Sequence, residues 1–389
     1  MIFLNREFLQ RTGIVAMLIT GLSLTISGCQ NGGGDEILIG HYGSLTGSQA
    51  TFGISTDNGI KMAIEDLNAA GGINGRKVKL VTYDDKGEAR EASTAVTRLV
   101  TKDGVVAVIG EVASGLSLAA APICQESGVP MISPSSTNPK VTKVGDMIFR
   151  VCFIDPFQGK VCAKFAREHE SLKASKAAIV TDQGSPYSVG LEEEFEKSFV
   201  ALGGTVVSKQ TYQAGDQDYS AQLTSIRAAE PDVIFVPGYY TEVASMILQA
   251  RKLGMTQPFV GADGWDSAKL GEIAGDAING CFYSNHYSQE DPSPKIQDFI
   301  AKYKAKHNET PDALAALGHD SAMILFDAMK KAGTLEGAAI AAELVKTKDF
   351  DGITGKISID AERNAVKPAV ILEMKNGVPK YVATIQPGE

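Results

Sequence analysis

The sequence predicts an α/β protein made of two doubly wound parallel-sheet lobes that are joined by a hinge. Strand-like apolar runs alternate with helix-like periodic segments along most of the chain. This alternation restarts after residue 151, and the 389 residues are enough for two domains of ordinary size. Strict alternation of strands and helices favours parallel sheets with helices on both faces.

The first cascade of strands and helices lies before residue 152. The run 105–109, Val-Val-Ala-Val-Ile, is apolar on both faces, as is typical of a central parallel strand. Ile60, Ala63 and Ile64 have the spacing of a helix with one buried face. The predicted strands are 37–42, 78–83, 105–109, 129–133 and 148–151, and the predicted helices are 58–70, 91–101 and 118–126.

A second cascade of similar length follows, and the order of elements changes after a strand at 281–285. Its predicted helices are 157–169, 189–202, 221–229 and 242–253, and its strands are 176–181, 205–212, 233–237 and 258–262. The remaining segments are helices 295–307, 313–331 and 335–347, then strands 355–359, 369–374 and 381–385. We therefore expect an N-terminal lobe of residues 36–155 plus 286–355 and a C-terminal lobe of residues 156–285 plus 356–389.

The amino terminus has the features of an export signal. Arg6 and Arg11 precede an uncharged stretch, 13–26, which is shorter than the roughly 20 residues of a membrane span. The stretch leads into Ile26-Ser27-Gly28-Cys29, which resembles a bacterial lipobox. We expect residues 1–28 to be removed, Cys29 to be lipidated and residues 29–35 to form a flexible tether. An ordinary signal peptide with a chance cysteine is the alternative.

Composition excludes several classes of function. Lys and Arg total 37 and Asp and Glu total 46, and the net charge of −9 disfavours nucleic acid as a partner. Cys124, Cys152, Cys162 and Cys281 are scattered without a Cys-x-x-Cys pair, so no zinc site is expected. Buried free thiols are the favoured state, and a disulfide between Cys152 and Cys162 is the alternative.

The catalytic motifs in the sequence are incomplete. The run 115–119, Gly-Leu-Ser-Leu-Ala, lacks the final glycine of a nucleophile elbow. No Gly-x-Gly-x-x-Gly follows the first strand, and no Gly-Lys-Ser/Thr phosphate loop occurs. Asp84 and Asp85 are adjacent at a strand end, and we expect them to be solvated or to cap a helix. We therefore expect no enzyme, cofactor or metal.

The residues that follow the strands suggest a ligand, because ligands of open α/β sheets lie beyond the carboxyl ends of the strands. In the first half these residues are Gly, Ser and Thr at helix starts, whose N–H and hydroxyl donors suit an anion. In the second half, Asp263, Tyr187 and Tyr239 suit an ammonium group. Together the two halves would hold a zwitterion. The small residues of the first half could instead be ordinary helix caps.

Several motifs carry a family resemblance. They include Gly-Ser-Leu-Thr-Gly at 43–47, Gly-Gly-Ile-Asn-Gly-Arg at 71–76, Ile-Ser-Pro-Ser-Ser-Thr at 132–137 and Gly-Ala-Asp-Gly-Trp at 261–265. With these motifs in this order, the chain resembles the periplasmic leucine/isoleucine/valine-binding proteins of branched-chain amino acid ABC transporters. The resemblance covers essentially the whole mature chain. It implies the type I periplasmic binding protein fold.

The resemblance also implies roles for individual residues. Ser114 and the turn of Ser135, Ser136 and Thr137 would bind the α-carboxylate of an amino acid, and Thr137 would also reach the ammonium group. Asp263 would be the acidic partner of that ammonium. Tyr187 and Tyr239 would close the pocket, and Phe52 would pack on the ligand side chain. Ala113 and residues near His286 and Tyr287 match the side-chain pocket less securely. Phe52 and Trp265, which follows the ammonium site, are candidates for setting ligand size.

We therefore expect an extracytoplasmic lipoprotein that binds an amino acid, branched-chain or aliphatic, between its lobes. The resemblance implies delivery to the permease of an ABC importer. We also expect a monomer that is attached to the membrane only through its N-terminal lipid. A receptor subunit that senses an amino acid, amide or urea-type ligand without transporting it is the alternative. Neighbouring permease and ATPase genes would favour transport.

Overall fold

The computed structural model describes residues 36–388. The expected signal peptide, the lipidated Cys29 and the tether 29–35 lie outside the described residues. Within residues 36–388, no helix combines the length and the apolar character needed to cross a membrane.

The first sheet contains five parallel strands in the order β2-β1-β3-β4-β5. Its strands are β1 (Ile37–Gly43), β2 (Val78–Asp84), β3 (Ala107–Ile109), β4 (Met131–Ser133) and β5 (Ile148–Arg150). Three helices connect them: α1 (Ala50–Ala69), α2 (Ala89–Arg98), which continues as a π-helical turn over Leu99–Asp103, and α3 (Ser114–Glu126). All the predicted strands of this half are present, with small shifts at their ends.

The second sheet contains seven strands in the order β15-β14-β10-β9-β8-β6-β7. Five of them pair in parallel: β6 (Lys176–Asp182), β7 (Thr205–Tyr212), β8 (Val233–Phe235), β9 (Phe259–Gly261) and β10 (Phe282–Asn285). The helices of this half are α4 (Asp155–Glu168), α5 (Pro186–Ala201), α6 (Ser220–Ala229), α7 (Tyr240–Lys252) and α8 (Ala268–Ala274). The short helix α8 is not predicted from the sequence.

The last hundred residues contribute to both halves of the molecule. They form α9 (Pro294–His307), α10 (Ala313–Ala332), α11 (Gly337–Leu344), a small sheet of β11 (Phe350–Gly352), β12 (Gly355–Ile359) and β13 (Ala365–Val366), and then β14 (Ala369–Lys375) and β15 (Val378–Ile385). Helix α10 packs against α1 of the first half, whereas β14 and β15 extend the second sheet as antiparallel strands beside β10. The residue boundaries of the two lobes remain a prediction.

Helix α1 begins at Ala50, well before its predicted start at residue 58. Its first turns contain Gly53 and several Ser and Thr residues, which are weak helix formers, so the local sequence hides this start. Tertiary packing determines it instead. A Cβ atom on Gly59 would lie 1.9 Å from the carbonyl oxygen of Ala315, so glycine lets α1 and α10 approach closely. The early start places Phe52 on a buried helical turn.

The four cysteines of the described chain are all buried and free, as predicted: Cys124, Cys152, Cys162 and Cys281. The alternative disulfide between Cys152 and Cys162 is not formed. Burial raises the pKa of the Cys152 thiol to about 12 and that of Cys162 to about 12, so these groups stay as neutral thiols.

Candidate ligand-binding cleft

A small cavity lies between the two sheets, beyond the carboxyl ends of their strands. This is the edge at which the sequence predicts a ligand. The first half of the chain, together with α10, supplies one wall and the second half supplies the other. The lining residues are Phe52, Val112, Ser135 and Leu314 on one wall, and Tyr187, Tyr239, Asp263 and Gly264 on the other.

The carboxylate of Asp263 is the centre of the polar end of the cavity. Asp263 opens a short 3-10 turn directly after β9, and only 5% of the residue is exposed. Its Oδ1 accepts hydrogen bonds from Gln158 Nε2 and from the Tyr187 hydroxyl, both at 2.9 Å. Its Oδ2 accepts from His286 Nε2 at 3.1 Å and lies 3.5 Å from the Ser135 hydroxyl.

The imidazole of His286 is neutral, although it contacts the Asp263 carboxylate. Burial lowers the pKa of His286 to about 4, and the ring stacks on Phe153 with 3.9 Å between centroids. The neutral ring therefore donates from Nε2 to Asp263, while Nδ1 has no partner among the described residues. The donors around Asp263 stabilise its charge without cancelling it.

Asp155 is a second buried carboxyl group near this site, and sequence reasoning missed it. It begins α4, only 1% of it is exposed, and burial together with the charge of Asp263 raises the pKa of Asp155 to about 8. The Thr137 hydroxyl lies near it. Within residues 36–388, neither that hydroxyl nor either oxygen of Asp155 has a hydrogen bond of full geometry, although the Thr137 hydroxyl is close enough to lower the pKa of Asp155 in part. These orphaned atoms are suited to a ligand with several N–H donors.

The predicted serines of the first half have different surroundings. Ser114 begins α3, and its hydroxyl accepts a hydrogen bond from the N–H of Asn138 at 3.2 Å. Ser135 faces Asp263 across the cavity. The hydroxyl of Ser136 turns into its own lobe, where it lies 2.9 and 3.0 Å from the carbonyl oxygens of Glu111 and Val112. Its side chain holds two loops together and does not line the cavity.

Aromatic rings form much of the remaining wall. Tyr187 and Tyr239 stack with 5.2 Å between ring centroids and 4° between ring planes, and Phe52 meets Tyr239 edge-on at 5.7 Å. Val112 and Leu314 complete the apolar lining, and neither is predicted from the sequence. Leu314 comes from α10, so only the tertiary fold brings it to the cleft. Ala113 lies at the mouth of an adjoining, more open part of the cleft.

The structure corrects two expectations about individual residues. Trp265 is fully buried, its indole N–H donates to the carbonyl of Val236 at 3.0 Å, and its ring packs on Gly261, so it faces the lobe core and not the ligand. Asp85 is also fully buried and accepts a hydrogen bond from the Gly87 N–H, so the expected solvated role is wrong. Asp84 accepts hydrogen bonds from loop N–H groups, including that of Lys86 at 2.8 Å.

Hydrogen bonds join the two walls directly, so the cleft is closed in this structure. The Thr241 hydroxyl donates to the carbonyl of Ser48 at 2.8 Å, and the hydroxyls of Thr51 and Ser267 lie 3.0 Å apart. Deeper in the cleft, Asp266 accepts from the N–H of Ala313 at 2.7 Å. These contacts link the start of α1 and of α10 to the second half of the molecule.

Two α/β halves that close on a small cavity with one polar and one apolar end define a solute-binding protein. The chain matches the family described as periplasmic binding protein over residues 36–378. It is 31% identical over 327 residues to the leucine-, isoleucine-, valine-, threonine-, and alanine-binding protein of Pseudomonas aeruginosa, covering 84% of this chain and 86% of that protein.

Solved structures agree with this match. A leucine-binding protein from Thermotoga maritima has a TM-score of 0.86 and 41% identity, over 90% of this chain and 99% of that chain. The substrate-binding protein of a branched-chain amino acid transporter from Streptococcus pneumoniae, solved with isoleucine, has a TM-score of 0.84 and 37% identity over the same shares, 90% and 99%.

The chain therefore belongs to the periplasmic binding protein family, among the relatives that bind branched-chain amino acids. This confirms the predicted family and the type I fold with two lobes. It also confirms the expectation that the chain is a binding protein and not an enzyme, and family membership places it outside the cytoplasm.

The buried neutral state of His286 predicts a pH dependence of stability. The folded-state pKa of about 4 lies below the ordinary histidine value of 6.5, so on acidification the unfolded chain takes up the proton first. The free energy of unfolding should therefore fall as the pH drops from 6.5 towards 4. At about 1.4 kcal/mol per pKa unit, His286 contributes at most about 3.5 kcal/mol of that fall.

His286→Gln keeps a donor for Asp263 but removes this titration. Urea unfolding of both proteins between pH 7 and pH 4 measures the effect. We expect a shallower loss of stability in the variant, and equal slopes for the two proteins would contradict the assignment.

Proposed function

We propose that this protein binds a branched-chain or other aliphatic α-amino acid in the cleft between its lobes and delivers it to the permease of an ABC importer. The observation that carries the proposal is the buried Asp263 carboxylate, which is surrounded by neutral donors and faces an apolar wall. The names of the relatives support the same ligand class, since they include binding proteins for leucine, isoleucine and valine.

The ammonium group of the ligand would lie at Asp263. The carboxylate offers its charge, and the orphaned oxygens of Thr137 and Asp155 offer further acceptors close by. An ammonium group has three N–H donors, so a set of several acceptors suits it. The ligand charge would also favour the ionised form of Asp155, whose pKa burial raises to about 8.

The carboxylate of the ligand would lie on the opposite wall, at the N-terminal end of α3. Ser114 is the first residue of this helix of 13 residues, and its hydroxyl and the first free N–H groups of the helix are suitable donors. Ser135 and Thr137 follow β4 on the same wall. The two poles of a zwitterion would thus contact different lobes, so binding favours closure.

The side chain of the ligand would contact Phe52, Val112, Leu314 and the Tyr239 ring. Burying an aliphatic side chain contributes about 1.5–3 kcal/mol, and charge-assisted hydrogen bonds contribute about 1.5–3 kcal/mol each. A micromolar complex needs about 8 kcal/mol. The contacts on the two walls are therefore sufficient for such an affinity after the cost of ordering the ligand.

Delivery to a permease places the protein at a membrane, and we propose that a lipid on Cys29 holds it there, at the periplasmic or outer cell surface. The support is the sequence Ile26-Ser27-Gly28-Cys29 and the uncharged stretch before it. A flexible tether at 29–35 would leave a monomer free to open, close and reach its permease.

The role of Asp263 can be tested with two ligands that differ at one pole. L-leucine carries an ammonium group, and its α-hydroxy acid analogue carries a hydroxyl in the same position. We expect Asp263→Asn to weaken L-leucine binding at least tenfold by isothermal titration, because the buried ammonium loses its counter-charge. The variant should discriminate less between the two ligands than the unsubstituted protein does.

Asp218→Asn is the matched control, since it makes the same charge change at an exposed surface position and should leave both affinities unchanged. Equal affinity of the Asp263→Asn variant and the unsubstituted protein for L-leucine would show that the ammonium is not bound there.

The proposed anchor is tested by Cys29→Ala in the full chain, expressed in a bacterium that processes lipoproteins. The unsubstituted protein should incorporate labelled fatty acid and sediment with membranes, because the lipid is its attachment. The variant should lose the label and become soluble while its ligand affinity stays unchanged. If the variant still incorporated the labelled fatty acid and sedimented with membranes, Cys29 would not be the attachment site.

A further inference from the structure

A single hydroxyl lies between two buried carboxyl groups on the ligand-binding edge of the first sheet. Ser44 directly follows β1, and its Oγ lies 3.0 Å from Asp85 Oδ1 and 3.1 Å from Glu111 Oε1. Asp85 is 0% exposed and Glu111 is 1% exposed. A serine hydroxyl has one proton, so it can donate to only one of these two oxygens.

The remaining contacts of the two acids do not resolve this conflict. Glu111 Oε1 also accepts from the N–H of Ser44 at 3.1 Å, and Oε2 accepts from the N–H of Ala113. Asp85 Oδ1 accepts from the N–H of Gly87 at 2.9 Å, while its Oδ2 has no partner among the described residues. If both acids were ionised, one Ser44 contact would bring lone pairs together between two buried charges.

The groups that face this pair supply no compensating positive charge. Tyr42 of β1 and Tyr239 at the start of α7 both lie near Glu111, and burial raises the pKa of each well above the usual range, so both are neutral. Asp84 adds a further negative charge beside Asp85. Within residues 36–388, burial, hydrogen bonds and neighbouring carboxylates are the main causes that shift the pKa values of Glu111 and Asp85, and no Lys, Arg or His is among them.

One proton on the pair satisfies all of these contacts. The carboxylic acid O–H of Glu111 donates to Ser44 Oγ, and the Ser44 hydroxyl donates to the Asp85 carboxylate. Burial and the charge of Asp85 raise the pKa of Glu111 well above its usual range, whereas burial raises the pKa of Asp85 to about 6. Glu111 is therefore the member of the pair that keeps the proton near neutral pH.

The residues of this hydrogen-bonded chain contact, or are adjacent in sequence to, residues that line the cavity. Ser44 packs on α1 next to Phe52. The two backbones are so close there that a Cβ on Gly53 would lie only 2.3 Å from the Ser44 carbonyl oxygen. Glu111 precedes Val112, which lines the cavity, and accepts from the N–H of Ala113, the residue before Ser114.

We propose that Glu111 is a protonated positioning residue, which with Ser44 and Asp85 holds Phe52, Val112 and Ser114 in their ligand-binding positions. The part of this inference that concerns binding rests on the proposed function, whereas the protonation of Glu111 does not.

The protonation state can be measured in the unsubstituted protein without ligand. Infrared spectra of protein labelled with ¹³C at the glutamate side-chain carboxyl should show an isotope-shifted carbonyl band of a carboxylic acid at pH 7. Buried aspartates such as Asp155 do not carry this label, so they do not contribute to the shift. Spectra in which every labelled glutamate gives only carboxylate bands at pH 7 would overturn the proposal, whether or not the protein binds leucine.

Two substitutions test the positioning role. Glu111→Gln replaces the acid by a neutral amide whose oxygen can accept from the N–H of Ala113 and whose NH2 can donate to the Ser44 hydroxyl. Only the acceptor for the Ser44 N–H is lost, so L-leucine affinity should stay within about threefold. Glu111→Ala breaks the connection, and affinity should fall at least tenfold at a temperature where the variant is folded. An equal loss in both variants would show that Glu111 acts as an ionised acceptor and would contradict the proposal.

Stability against pH gives a further readout. Because the pKa of Glu111 is raised in the folded state, the unfolded chain loses this proton first, and stability falls as the pH rises above the ordinary glutamate range. In urea unfolding from pH 5 to pH 9, Glu111→Gln should lose less stability with rising pH than the unsubstituted protein. Parallel profiles would also contradict the proposal.

Discussion

The binding site depends on one buried negative charge, the carboxylate of Asp263. An isolated carboxylate in such surroundings would be costly, but Gln158, Tyr187 and His286 each donate a hydrogen bond to it. All three donors are neutral, so the site keeps a net charge that a positively charged ligand group can pair with. A lysine or arginine in the same place would satisfy the carboxylate permanently and leave the ligand no electrostatic advantage.

The fold determines that this charge faces donors and apolar groups from the other lobe. In both sheets the carboxyl ends of the parallel strands point to the cleft, so the loops that follow β3, β4, β8 and β9 meet there. Helix α1 adds Phe52 and helix α10 adds Leu314 to one wall. The close approach of these helices at Gly59 fixes the distance between the two side chains. The aliphatic end of the cavity is thus a consequence of helix packing as much as of the local sequence.

Positions that depend on local order along the chain could be predicted, whereas those that depend on distant contacts could not. Ser135 and Asp263 lie two residues beyond the ends of β4 and β9, so the alternation of elements was enough to place them at the cleft. Leu314 reaches the cavity only because α10 returns to α1, and Asp155 resembles an ordinary helix start in the sequence. Asp85 was expected in solvent because its burial depends on Ser44, 41 residues away, and on Glu111. The burial of Trp265 in the lobe core likewise depends on packing against Gly261.

A crystal structure of the protein with bound L-leucine would test the central claim most directly. We expect the ammonium group to lie within hydrogen-bond distance of Asp263 and Thr137, the carboxylate to lie at Ser114, and the side chain to contact Leu314. A ligand bound in the reverse orientation, or bound elsewhere while side chains fill the cavity between the lobes, would contradict it.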